Sequence, residues 1–106
     1  MIKTALVNIL DNAVKYGNNK DINISLSFGK QIVINIEDHG LGIEGKEIDL
    51  IFEPFYRASS SGKIKGSGIG LSLVKSIFNL HEIKLDVQSQ KNLGSVFTII
   101  FPEQSN

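Results

Sequence analysis

Asn8, Asn12 and Lys15 stand at i, i+4 and i+7 in a segment whose apolar residues, Leu6, Ile9, Leu10 and Ala13, repeat with helical spacing. Two carboxamides and an ammonium therefore share one helix face, opposite the apolar stripe. Carboxamide oxygens are neutral ligands for a hard cation such as Mg²⁺, and a Lys ammonium neutralises phosphate, so the face suits a metal–phosphate group. A solvated helix face would carry the same residues. The second group is Asp38-His39-Gly40-Leu41-Gly42-Ile43. Asp38 continues the even-numbered face of Ile32, Ile34 and Ile36, which points it toward the core at a strand end. A carboxylate there needs a donor from the protein or from a ligand, the exocyclic amine of adenine being one; an Asp that closes the following turn reads equally well. The third is Gly66-Ser67-Gly68-Ile69-Gly70-Leu71, which runs into a second helical stripe. Glycines at a helix start expose backbone N–H groups to an anion. Neither a Rossmann fingerprint nor a P-loop fits, because no strand precedes the run and no Gly-Lys-Ser/Thr follows it; a glycine-hinged loop without a ligand remains open.

The elements that must position these groups follow from periodicity. The first stripe predicts a helix from Ile2 to Tyr16, stopped near Gly17-Asn18-Asn19. Ile22, Ile24, Leu26 and Phe28 alternate with polar residues, Gly29-Lys30 makes a tight turn, and Ile32, Ile34 and Ile36 resume the alternation, giving a β-hairpin with one buried face. A short helix is expected around Glu44 to Ile51. Residues 58–68 are small, polar and glycine-rich, as in a surface loop. Ile69, Leu73, Val74, Ile77 and Leu80 form the second helical stripe, ending near His81. Strands are expected at Ile83 to Gln88 and Ser95 to Phe101, joined by Lys91-Asn92-Leu93-Gly94 and stopped by Pro102. Two antiparallel hairpins and irregular alternation favour a two-layer α/β sandwich over a parallel doubly wound sheet.

Composition narrows the chemistry. The chain has 106 residues, 42% of them hydrophobic, the size of one domain with one core. Eleven basic and eleven acidic residues balance, so there is no global basic field for nucleic acid or an anionic membrane. Absence of cysteine excludes disulfides, thiol catalysis and cysteine-ligated metals, and two histidines are too few for a histidine-rich metal site. No apolar stretch approaches the ~20 residues of a membrane span, and the first residues lack the layout of a signal peptide.

The order of these groups resembles a known family. Asn8-Ile9-Leu10-Asp11-Asn12-Ala13-Val14-Lys15-Tyr16 is similar to the asparagine box of sensor histidine kinases, and Asp38 to Ile43 to their DxGxG adenine box. Phe52-Glu53-Pro54-Phe55-Tyr56-Arg57 resembles their FxPF box, Gly66 to Leu71 their GxGxGL lid box, and Gly94-Ser95-Val96-Phe97-Thr98 their last glycine-turn strand. The resemblance spans nearly the whole chain, residues 1–106 as one catalytic ATP-binding domain. It implies the GHKL (Bergerat) sandwich, with a mixed, mostly antiparallel sheet and ATP between the helices under a mobile lid. By the same resemblance Asn12 is the Mg²⁺ ligand, supported by Asn8, and Asn12 and Lys15 are the catalytic pair. Lys15 contacts phosphate, Tyr16 flanks the nucleotide, Asp38 accepts the adenine amine, and Gly40 and Gly42 let the loop pass the base. Arg57 reaches the phosphates, Gly66, Gly68 and Gly70 form the lid hinge, and Ile43, Ser67, Ile69, Leu71 and Thr98 complete the nucleotide contacts. Phe52, Pro54 and Phe55 are expected to anchor their loop to the core.

Hydrolytic members of the superfamily carry a glutamate one turn before the metal-binding asparagine; the residue here is Asn8, which offers no base to water. That disfavours rapid hydrolysis and ranks an anti-sigma-type kinase below a histidine kinase. A nucleotide-binding regulatory module without phosphotransfer is the other alternative. Neither His39 nor His81 sits in a phosphoacceptor motif, so the resemblance implies a partner: the dimerisation and phosphoacceptor domain of a parent kinase, with a response regulator served indirectly. It implies a cytoplasmic domain, with no membrane contact of its own, of a parent that can be anchored in the inner membrane. Family domains ordinarily open with one or two strands before the asparagine helix. An N-terminally partial domain with an uncovered, self-associating sheet edge is therefore expected.

Overall fold

The structure, a computed structural model, describes residues 1–17, 20–53 and 70–103, and of Gly70 the backbone alone. Helix α1 (Ile2–Tyr16) leads to strands β1 (Asn23–Ser27) and β2 (Val33–Asp38), a 3-10 turn at Gly45–Glu47, helix α2 (Gly70–Leu80), and strands β3 (Lys84–Gln90) and β4 (Gly94–Ile100). The strands form one sheet in the order β1-β2-β4-β3, and every described pair is antiparallel. The helices pack on each other, α1 also against β2 and α2 against β3, which makes the two-layer sandwich. No parallel pair, as a mixed sheet would have, occurs among the described residues.

The inner face of the sheet is organised in rows that cross the strands. One row is Leu26, Ile34, Ile99 and Leu85, the next Ile24, Ile36, Phe97 and Val87, and a third runs from Asp38 through Ser95 to Ser89. Apolar rows give way to a polar one at a single end of the sheet, because Asp38, Ser95 and Ser89 hold the inward phase of their strands. The core is built where the apolar rows meet the helices. Ala5, Ile9 and Ala13 come from α1 and Val74, Ile77 and Phe78 from α2, with Phe78, Ile9, Ile99 and Val74 fully enclosed.

Four expectations need correction. In α2, Leu73 and Leu80 are exposed, and the core-facing residues are Val74, Ile77 and Phe78, because the face that meets α1 and the sheet is rotated from the expected stripe. The hairpin connection is five residues, 28–32, since Ser27 faces Val33 and the Ile32 carbonyl accepts from Phe101 N–H at 3.0 Å. Strand β1 also buries nothing: all five of its residues are exposed, Ile24 at 59% and Leu26 at 52%, at the edge of the described sheet. The expected helix after Glu44 is the 3-10 turn followed by turns through Phe52.

Candidate functional site

The polar row lies beside the C-terminal end of α1, and backbone hydrogen bonds join them. A helix ends with unpaired carbonyls; that of Tyr16 accepts from Leu41 N–H at 3.1 Å, so the loop after Asp38 is tied to the turn that carries Lys15 and Tyr16. On the other side, Asn92 N–H donates to the Leu41 carbonyl at 2.7 Å, and the Lys91 ammonium meets Glu44 Oε1 at 3.0 Å. Residues 39–43 are thus clamped between α1 and the β3–β4 turn. Gly40 and Gly42 permit the clamp. A Cβ on Gly40 would collide with the Tyr16 carbonyl and Gly17, and one on Gly42, at φ +67°, with the Gln90 carbonyl. The close approach these glycines allow is between segments of this chain.

Asp38 is 7% exposed. Its Oδ1 accepts from Gly40 N–H at 3.0 Å, and the Ser95 backbone amide also favours the charged form. Burial pushes the Asp38 carboxyl above its ordinary range, and those two amides and His39 only partly offset it. A ligand donor that reached the carboxylate would therefore stabilise the charged form. His39 Nε2 is 3.2 Å from Asn23 Nδ2, holding the imidazole at the sheet margin.

Along α1, the residues opposite the core stripe are Thr4, Val7, Asp11 and Val14; Asn8 and Asn12 lie on the flank, half-buried, together with Tyr16. The flank position distinguishes them from a solvated polar face. Lys15 is exposed and pairs with Asp11 at 3.2 Å. Ile43 and Leu71 are half-buried and pack on the core, with Ile43 N–H bonded to Ser89 Oγ at 2.7 Å. Thr98 is on the other face of the sheet, where its hydroxyl donates to Asn35 Oδ1 at 2.6 Å, away from Asp38. Arg57, Gly66, Ser67, Gly68 and Ile69, with Pro54 and Phe55, lie outside the described residues, and Gly70 opens α2. Phe52 packs against the core beneath the Lys75 ammonium, 5.0 Å from the ring centre, as expected of a loop anchor.

Ser89 and Ser95 were not among the residues expected at the site. Ser89 Oγ also donates to the Gly94 carbonyl at 2.9 Å and lies 2.7 Å from Ser95 Oγ. The readable signal was strand phase, since both serines continue the inward alternation of Leu85 and Val87 and of Phe97 and Ile99. Among the described residues no three His, Cys, Asp or Glu side chains cluster as a metal cage. The donor set on the α1 flank is two neutral carboxamides. That fits Mg²⁺ held by one or two side-chain oxygens together with ligand phosphates and water, and not an all-protein site.

Known proteins resemble this chain in sequence and fold. The profile of the histidine kinase-, DNA gyrase B- and HSP90-like ATPases matches residues 1–105. The signal transduction histidine-protein kinase ArlS of Staphylococcus aureus is 41% identical over 96 residues, covering 87% of this chain. This chain spans 21% of that relative's length. Among solved structures, the mycobacterial sensor histidine kinase MprB superposes with a TM-score of 0.82 at 30% identity, over 95% of this chain and 71% of the other. The catalytic domain of the histidine kinase ThkA superposes with a TM-score of 0.76 at 27% identity, over 96% and 66%.

Proposed function

We propose, from the premise that this chain belongs to the histidine kinase-, DNA gyrase B- and HSP90-like ATPase family, that it is the catalytic ATP-binding domain of a two-component sensor histidine kinase. It binds Mg-ATP and passes the γ-phosphoryl group to a histidine on a separate dimerisation and phosphoacceptor domain. The observation that carries this reading is the enclosed Asp38 carboxylate tied, through Gly40 and Leu41, to the helix end that bears Lys15 and Tyr16. Asp38 accepts the adenine amine, and Asn12 with Asn8 holds Mg²⁺, which supplies charge neutralisation on the phosphates. Lys15 adds a second positive charge once it leaves Asp11. Arg57 and the glycines of the 66–70 run complete the phosphate contacts.

In the transfer, the acceptor imidazole nitrogen forms the new N–P bond as the bond from the γ-phosphorus to the bridging oxygen breaks, and ADP carries away the electron pair. Such a reaction depends on positioning and neutralised charge more than on covalent chemistry by the protein. Asn8, having no carboxylate, offers no base to water, so the phosphoryl group is kept for the histidine. No described helix is long and apolar enough to cross a membrane, in keeping with a domain that works where ATP is, on the cytoplasmic side. A response regulator then receives the phosphoryl group from the partner histidine.

The test is incubation with labelled Mg-ATP, with and without a dimerisation and phosphoacceptor segment from a relative. Acid-labile label on that segment alone is the expected result. Nucleotide binding with no labelling in trans replaces the kinase reading with a regulatory nucleotide-binding module.

A further inference from the structure

The row Asp38, Ser95, Ser89 contains one hydroxyl whose bonding capacity is completely used. A serine hydroxyl has one proton and two lone pairs. Ser89 spends its proton on the Gly94 carbonyl at 2.9 Å and one lone pair on Ile43 N–H at 2.7 Å. The one assignment that makes all three contacts hydrogen bonds has Ser95 as the donor in the remaining one, 2.7 Å to Ser95 Oγ. Ser95 is 6% exposed and sits directly across the ladder from Asp38. With its proton turned toward β3, its hydroxyl has only lone pairs left for the Asp38 side. The polar end of the sheet consequently offers acceptors, a carboxylate and an acceptor-only hydroxyl, with no rotatable donor between them among the described residues.

We infer that Ser89 is a positioning residue for base specificity. By holding the Ser95 proton away from Asp38, it keeps this end of the sheet selective for a base edge that presents an amine over one that presents a carbonyl oxygen. The inference rests on the adenine reading of Asp38. Adenine brings an exocyclic amine, which such a surface accepts, whereas guanine brings a carbonyl at the same place, which it repels. Ser89→Ala frees the Ser95 hydroxyl to donate to the carboxylate or to a ligand oxygen. That weakens the amine contact and relieves the repulsion of the carbonyl.

Calorimetry with ADP and GDP on the 106-residue chain separates the possibilities, and a thermal melt of each variant confirms folding. The wild-type chain is expected to prefer ADP. Ser89→Ala should lose about tenfold in ADP affinity, the scale of one buried hydrogen bond, and lose less for GDP, so that the ratio narrows. Ser89→Thr keeps the hydroxyl and should keep the ratio. In Ser89→Ala/Ser95→Ala no freed hydroxyl remains, and the ratio should return toward the wild-type value although the bonds to Ile43 and Gly94 are still lost. If Ser89→Ala does not fold, Ser89→Cys, with its weak donor and acceptor, should narrow the ratio by a smaller factor. A wild-type preference for ADP that Ser89→Ala or Ser89→Cys leaves intact overturns the inference and spares the adenine reading. A ratio that stays narrowed in the double variant also overturns it, since loosening of the loop would then be the cause. Equal affinity for ADP and GDP in the wild-type chain overturns both.

Discussion

Strands β1 and β4 alternate in the same way and meet opposite fates. In β4, Ser95, Phe97 and Ile99 are buried, flanked by β2 and β3 and covered by the helices. In β1, Ile24 and Leu26 occupy the same inner face, opposite Ile36 and Ile34, yet more than half of each side chain is exposed. Alternation assigns residues to a face; whether the face is covered depends on the second layer, which a strand's own sequence does not specify. The functional groups follow the covered flank. Asp38 stands at the end of β2 that pairs with β4, and the bonds fixing its loop come from α1 and from the β3–β4 turn. From β1 the loop receives the contact of Asn23 with His39.

The most severe way to break the comparison is truncation in the covered strand. Ile99→Ala removes a side chain with no exposed surface, and the expected cost is about 3 kcal/mol, transfer and cavity terms together. Leu26→Ala should cost less than about 1 kcal/mol, because over half the side chain already meets water. Urea midpoints measured side by side decide the matter, and equal costs would mean that β1 is covered in solution.

Asp38→Asn comes next. It should weaken ADP binding by up to about a hundredfold, as loss of a charge-assisted hydrogen bond does, while leaving the unliganded domain as stable or more so at neutral pH. The second half follows from the pKa direction. Burial holds the Asp38 carboxyl above its unfolded value, so ionisation disfavours the fold at pH values above the raised pKa. That cost is relieved as pH falls through the raised pKa, and below the unfolded value the Asp38 contribution vanishes. Nucleotide binding runs the other way, because a protonated carboxyl offers the amine a poorer acceptor. Calorimetry and melts across mildly acidic pH should therefore show Asp38-linked stability rising as ADP affinity falls, and both slopes should be absent from Asp38→Asn.

What could be read in advance divides along the same line. The bounds of α1 were legible because its apolar spacing and Gly17 agree, and the inward phase of Asp38 followed from Ile32, Ile34 and Ile36. Exposure of Leu73 and Leu80 was not legible, since both fit a helical stripe as well as Phe78 does and packing against α1 selects between them. Nor was the part played by Ser89. A serine in a strand carries no motif until its neighbours across the ladder are known, and they lie at Ser95, Gly94 and Ile43. Thr98 was expected among the nucleotide contacts as part of the last glycine-turn strand, but strand phase sends its hydroxyl to Asn35 on the opposite face.

On the bare flank the expected effects are smaller. Leu26→Lys puts a charge on the exposed edge strand, a device that blocks edge-to-edge pairing. Its cost in stability should stay below about 1 kcal/mol. Sedimentation across a concentration series should show less association than the wild-type chain; a wild-type chain that is monomeric throughout removes the self-association expected from the sequence.

The smallest effect belongs to Lys15. Its bond to Asp11 is an exposed i, i+4 pair at 3.2 Å, with the acid on the N-terminal side as helices favour, worth about 0.3–0.5 kcal/mol. A phosphate that recruits Lys15 must compete with that pair. Asp11→Asn removes the competitor and the repulsion of a carboxylate beside the phosphates, so ATP affinity should rise by about twofold at low salt, with the gain screened away near 0.5 M, where the Debye length is about 4 Å. ADP, with less charge to place, should gain less. A fall in ATP affinity on Asp11→Asn would show that the ion pair holds Lys15 in position for the phosphates, and the Lys15–Asp11 pair would then count as part of the site.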